Sequence, residues 1–130
     1  MPKYAVKYLA AILKKRNKTL SNTKILVLGA TYKKDVKDLR KSPSLVLIEL
    51  LQKTKASVSY YDPMVPYLKI GSIDLKAITL DKQTVKKFDC VIVAVDHTRV
   101  DYTLIRKHAK LIYDIRNVYK GAQSTHIVRF

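Results

Sequence analysis

A doubly wound α/β domain built on a parallel sheet is the fold this sequence predicts, and three observations predict it. "KILVLG" and "DCVIVAV" are short, continuous apolar runs, the pattern of strands covered on both faces. Segments of strand character alternate with segments of helical periodicity, which implies crossover connections between parallel neighbours. At 130 residues and 48% hydrophobic content, the chain has the size of one ordinary domain and enough material for its core.

The elements follow in order. Residues 2–17 read as an amphipathic helix, with Pro2 suited to a first helical position and Ala5, Val6, Leu9, Ile12 and Leu13 at helical spacing. Lys14, Lys15 and Arg16 fall in its last turn, where cations complement the helix dipole. "NKTLSN" is a polar linker, and "KILVLG" is the first strand. Ser42 and Pro43 form an N-cap and first-turn pair ahead of a helix over "SLVLIELLQKT". "SVSYYD" is the second strand, and residues 66–80 show no clear period. A short helix capped by Asp81, the strand "DCVIVAV", a helix capped by Asp101 and a fourth strand "KLIYDI" complete the pattern. The organisation expected is a helix and linker over 1–20, an α/β domain over 21–120 and a tail over 121–130.

Composition narrows the function. The longest apolar runs are too short to span a bilayer, and no secretory leader pattern opens the chain, so a cytoplasmic protein without a membrane partner is expected. The single cysteine, Cys90, lies inside an apolar run and reads as a buried thiol. His97, His108 and His126 show no metal-ligand spacing with it, so no metal is expected. The 26 Lys and Arg against 10 Asp and Glu give a net charge of +16, which favours anionic partners. Because the cations are spread along the whole chain, that number alone does not separate a nucleic acid from a phosphorylated small molecule.

Ligands of open parallel sheets bind outside the carboxyl ends of the strands. Strand one ends at Gly29 and runs into "ATYKKDVKDLRKSP", which carries five basic residues; the other strands end at Asp62, at Asp96–His97, and at Asp114 with Arg116 beyond. Asp62 and Asp96 have a plain alternative as turn caps. Lys33 and Arg40 precede a helix N-terminus that itself favours anions, and Arg116 emerges from another strand end, so cations could grip a diphosphate from two sides. Lys34, Lys37 and Lys41 read as solvated charges. A dinucleotide fingerprint is missing, because Tyr32 and Lys34 stand where the later glycines would fall after Gly29.

The run "LGATYKKDVKDLRKSPSLVLIELLQ", followed in order by "YYDPMVP", "DCVIVAVDHTRVDY" and "YDIRN", resembles the C-terminal, UDP-binding domain of the UDP-glucose/GDP-mannose dehydrogenase family. "MPKYAVKYL" is similar to the helix that joins this domain to the family's middle domain. The resemblance implies a Rossmann-like sheet with flanking helices behind an N-terminal helix. It also implies a part in oxidising the C6 alcohol of a UDP-sugar to a uronate with two NAD. It assigns Tyr32, Lys33 and Arg116 to the UDP-sugar and Arg40 to NAD held mainly by another domain. "DHTRVDY" is closer to the branch acting on UDP-N-acetylhexosamines than to the UDP-glucose branch. Lys41 departs from the acidic residue usual after Arg40, and Ala30–Thr31 is a mild variant. The NAD domain and the catalytic cysteine are not in this chain, so no catalytic residue is assigned and the chain alone is expected to be inactive. Its expected partners are the NAD-binding and middle domains of a homodimeric enzyme. The alternatives are a basic nucleic-acid-binding module, which the ordered motifs disfavour, and a non-catalytic oligomerisation remnant.

Overall fold

The computed structural model describes residues 2–31, 42–120 and 126–129. Helix α1 runs Pro2–Lys15, two residues short of the expectation. Asn17 takes a left-handed φ of 60°. The Lys18 amide donates to Leu13 O at 2.9 Å and the Asn17 amide to Lys14 O at 3.1 Å, the paired bonds that close a helix C-terminus. Within the expected linker, Leu20–Asn22 forms one 3₁₀ turn.

The strands are β1 Lys24–Leu28, β2 Ser57–Tyr61, β3 Tyr67–Ile70, β4 Ile73–Lys76, β5 Cys90–Val93, β6 Ile112–Asp114 and β7 Ile127–Arg129; the remaining helices are α2 Pro43–Lys53, α3 Lys82–Lys86 and α4 Tyr102–His108. The main sheet has the order β2-β1-β5-β6-β7, and all its pairs are parallel. Alternation along the strands supplies two cores. Ile25 and Val27, Cys90 and Ile92, and Tyr113 face α1 and α2. Leu26 and Leu28, Val91 and Val93, and Ile112 face the layer of α3 and α4 with Val85, Phe88 and Ile105. Both faces are therefore covered, as continuous apolar strands require.

Two elements go beyond the sequence reading. The unassigned residues 66–80 contain the β3-β4 antiparallel hairpin, turning at Gly71 with a φ of 57°. Ile-Gly-Ser-Ile is a two-residue hairpin signal, obscured here because each strand is only four residues long. Leu68 and Ile73 enter the core beneath α1 and α2. The stretch read as a tail, 121–130, contains β7, which pairs Ile127 with Ile112 and Val128 with Tyr113. Three residues are too few to show a period in sequence, so only the neighbouring edge of β6 reveals this strand.

Candidate functional site at the strand carboxyl ends

The chain moves from β1 to β2 on one side and then returns to place β5 on the other, so the sheet order reverses between β1 and β5. Such a reversal opens the crevice where ligands of this sheet type bind. Gly29 stands there with a φ of 97°, and a Cβ added to it would lie 2.5 Å from Val95 Cβ and 2.8 Å from Val95 N. Glycine is required because β1 and β5 touch at this point. Val95 occupies the space a side chain at position 29 would need, so the glycine serves close backbone packing, and the G-x-G-x-x-G pattern of a dinucleotide cradle is missing from the sequence. No step through NAD is assigned to the described residues.

One part of the rim is a buried polar network. Asp62 and His97 are 2% and 0% exposed, and His97 Nε2 lies 2.8 Å from Asp62 Oδ2 and 2.9 Å from Thr31 Oγ1. A carboxylate has no hydrogen to give, so Nε2–H is the donor to Asp62. Asp62 Oδ2 also accepts from the Ala30 amide at 2.7 Å, and its Oδ1 accepts from the Met64 amide at 2.7 Å. The turn-cap reading of Asp62 covers only that last bond. His97 is inside the rim, not on it. Ser42 holds the N-cap position of α2 but makes no side-chain cap bond; its hydroxyl donates to Ala30 O at 2.7 Å and is 3.2 Å from Thr31 O.

The other part is open. Arg116 follows β6, and its Nε donates to Ala94 O at 2.8 Å, which fixes the guanidinium against the end of β5. It borders a cavity of about 300 Å³ with Ala5, Pro43, Ser44, Leu47, Ala94 and Ile115. Arg116 and the first turn of α2 thus meet at one cavity, bringing a planar cation to a helix N-terminus. Asp114, also expected at the rim, is 1% exposed and faces its own turn, accepting from the Val118 amide at 3.0 Å and the Tyr119 amide at 2.8 Å.

Of the site residues expected from sequence, Arg116 is in place at this cavity, whereas Tyr32, Lys33 and Arg40 lie outside the described residues. The Thr31–Asp62–His97 network was missed because its members are 31 to 66 residues apart in sequence. The order β2-β1-β5 brings together the loops leaving three strands, and each loop carries one of these polar residues one to four positions past its strand. Cys90 is fully buried; burial pushes its thiol up to about 12, so it is no nucleophile. Among the described residues, no cluster of three His, Cys, Asp or Glu could hold a metal, and no helix is long and apolar enough to cross a membrane.

An open parallel sheet with a cation and a helix N-terminus at its carboxyl rim, and no dinucleotide glycines, defines an α/β domain suited to a phosphorylated ligand. The family model described as UDP-glucose/GDP-mannose dehydrogenase family, UDP binding domain, matches residues 26–121, and the chain belongs to that family. Among curated proteins, it is similar to the UDP-N-acetyl-D-mannosamine dehydrogenase of Methanococcus maripaludis, 32% identical over 91% of this chain and 28% of the relative. The Pyrococcus horikoshii enzyme of the same name is 34% identical over 92% of this chain and 28% of the relative. A solved structure of UDP-D-ManNAc dehydrogenase from Pyrococcus horikoshii superposes with a TM-score of 0.77 at 27% identity, covering 98% of this chain and 30% of that one. The chain therefore spans under a third of the length of the relatives it matches.

Proposed function

We propose that this chain is the UDP-sugar-holding part of an NAD-dependent nucleotide-sugar 6-dehydrogenase, whose substrate is a UDP-N-acetylhexosamine oxidised at C6 to the uronate. The observation that carries the reading is the meeting of Arg116 with the α2 N-terminus at one cavity on the sheet's carboxyl rim. Arg116 grips the diphosphate there, and Tyr32 and Lys33, on the segment leaving β1, complete the hold on UDP. Arg40 reaches toward NAD bound by a domain outside this chain, and NAD would be the hydride acceptor. The chain's own task is to bind and orient, so it is catalytically incomplete by itself. The names of the similar enzymes support the N-acetylhexosamine branch. The NAD-binding and middle domains of a homodimer are its partners, and the cytoplasm its location.

UDP titrated into the 130-residue chain should raise its melting temperature by several degrees at saturating ligand. Arg116→Ala should abolish most of that rise without lowering the ligand-free melting temperature by more than a degree or two. A folded chain with no shift at millimolar UDP would contradict the reading.

A second reading rests on α1. Its exposed residues include Lys3, Tyr4, Lys7, Tyr8, Lys14 and Lys15, and the helix has no acidic residue. This face suits a single-stranded nucleic acid through charge and stacking, and absence of binding even at low salt would dismiss it.

A further inference from the structure

In a parallel sheet with crossover helices, a helix that leads into a strand ends at that strand's amino end. Here α1 leads into β1, α2 into β2, α3 into β5 and α4 into β6. All four helices therefore end at the amino pole of the sheet, opposite the rim that carries Arg116. Their last turns hold the exposed Lys15, Lys53, Lys86 and Lys107. Lys24 and Lys110, also exposed, stand at the start of β1 and two residues ahead of β6. The topology thus gathers on one pole cations that lie far apart in sequence. Complementing the helix dipoles accounts for the first four, but Lys24 and Lys110 belong to no helix. The carboxylates go the other way. Asp62, Asp96 and Asp114 follow strand ends, and Asp81 and Asp101 cap helix starts, all toward the carboxyl rim. Asp89 is the carboxylate at the amino pole among the described residues, and it is already engaged. Its Oδ2 accepts from the Lys24 amide at 2.8 Å, and its Oδ1 lies 3.2 Å from Lys18 Nζ. Burial opposes its ionisation, yet that amide, Lys18 and Lys110 hold the carboxyl below the usual carboxylate range.

We propose that the amino pole is a docking surface for duplex nucleic acid, held through its phosphates. The five strand starts span about 20 Å at the usual strand spacing. Over that length a duplex presents roughly a dozen phosphates, and a single strand half as many. The exposed large apolar side chains Tyr4, Tyr8, Val46, Tyr67 and Ile70 lie in the first halves of α1 and α2 and on the β3-β4 hairpin. None of them follows a helix end or opens a strand of the main sheet. Among the described residues, the pole therefore has no ring to stack an unpaired base and no wedge to enter a bilayer. The twist of the sheet turns successive strand starts out of one plane, which suits a helical phosphate backbone better than a flat lipid surface. A second copy of the same pole would be repelled. Lysines that grip phosphates position a duplex without reading its bases, so the binding is indifferent to sequence. This surface is separate from the UDP reading, and neither needs the other.

Fluorescence anisotropy of the 130-residue chain with a mixed-sequence duplex of about 20 base pairs, between about 50 and 200 mM salt, tests this. With one phosphate neutralised by each of these six cations, log K should fall against log salt with a slope of about −5. Lys24→Gln with Lys110→Gln should weaken duplex binding about tenfold at about 50 mM salt and take about 2 off that slope. Asp89 binds the backbone of Lys24, not its side chain, so this pair spares the contact that joins the starts of β1 and β5. Lys53→Gln with Lys107→Gln is a second pair with the same expectation, should the first not fold. Lys69→Gln with Lys76→Gln removes the same charge from the exposed hairpin and should change the affinity less than about twofold. Equal losses from the pole and hairpin pairs would reduce the effect to net charge and overturn the proposal. Tighter binding to a single strand of the same length would overturn it in favour of the α1 face. Competition by UDP would move the duplex to the carboxyl rim and overturn it as well. Binding to anionic phospholipid vesicles with none to the duplex, or no duplex binding at about 50 mM salt, would equally end it.

Discussion

Asp62 and Asp114 occupy equivalent places, each at or just beyond the carboxyl end of a parallel strand and each about 2% exposed or less. Their partners differ. Asp114 spends both oxygens on amides four and five residues ahead, so its bonds close one local turn. Asp62 spends one oxygen on the amide two residues ahead and the other on Ala30 and His97, 32 and 35 residues away. A buried carboxylate at a strand end can thus stiffen its own loop or tie three strand ends together, and burial alone does not tell which. The neighbour decides. Asp114 lies at the end of β6, whereas Asp62 follows β2, next to β1 and the entry to segment 32–41.

Alanine at each position should separate the two roles. Asp62→Ala removes the acceptor of the Ala30 and Met64 amides and leaves His97 Nε2 with Thr31 Oγ1 as its neighbour in this network, and we expect a loss of about 4 kcal/mol, at 1–3 kcal/mol per orphaned amide plus the lost charged hydrogen bond. Asp114→Ala orphans two amides next to a turn and should cost about 2 kcal/mol. Urea denaturation gives both values, and equal losses would erase the distinction. Native-state amide exchange sharpens it: Asp62→Ala should expose Ala30, whereas Asp114→Ala should affect only residues near Val118 and Tyr119.

Alkali provides a smaller, graded probe of the same two places. Tyr60 is raised to about 12, first by burial and then by Asp62; Tyr119 is raised above the usual phenol range, first by burial and then by Asp114. A group that holds its proton more tightly when folded stabilises fully below its unfolded value and loses that contribution as pH rises through the folded value. Stability should therefore hold to about pH 9, where the unfolded Cys90 thiol begins to ionise. It should then fall by roughly 1 kcal/mol per pH unit through the thiol alone, and more steeply above about pH 10, where the unfolded tyrosines also ionise, toward about pH 12. Urea midpoints between pH 8 and 11 measure this, and a flat profile would show that these hydroxyls and the thiol are not held protonated.

What could be read from sequence followed from how local each signal is. The strand cores, the Asp81 and Asp101 caps and the Ser42–Pro43 helix start were legible because each is written in adjacent residues. Their consequence, a parallel sheet with both faces covered, followed from connection rules. The four-residue hairpin strands and the three-residue β7 were too short to carry a period. The network was hidden for another reason: Thr31, Asp62 and His97 each have an innocent local reading, and only the order β2-β1-β5 places them together. The place of Arg116 beside the cavity was legible because a cation two residues past a buried strand emerges at the rim. Even so, nothing in sequence indicated that Ala94 O would orient it.

The central claim is that UDP is held where Arg116 meets the α2 N-terminus. Amide chemical-shift mapping of the 130-residue chain during UDP titration tests it most directly. Saturable shifts should appear at Ser44, Leu47, Ala94 and Arg116, around the cavity, and be lost in Arg116→Ala. Saturable shifts confined instead to the exposed lysine-rich face of α1, or none at all in a folded chain, would contradict it.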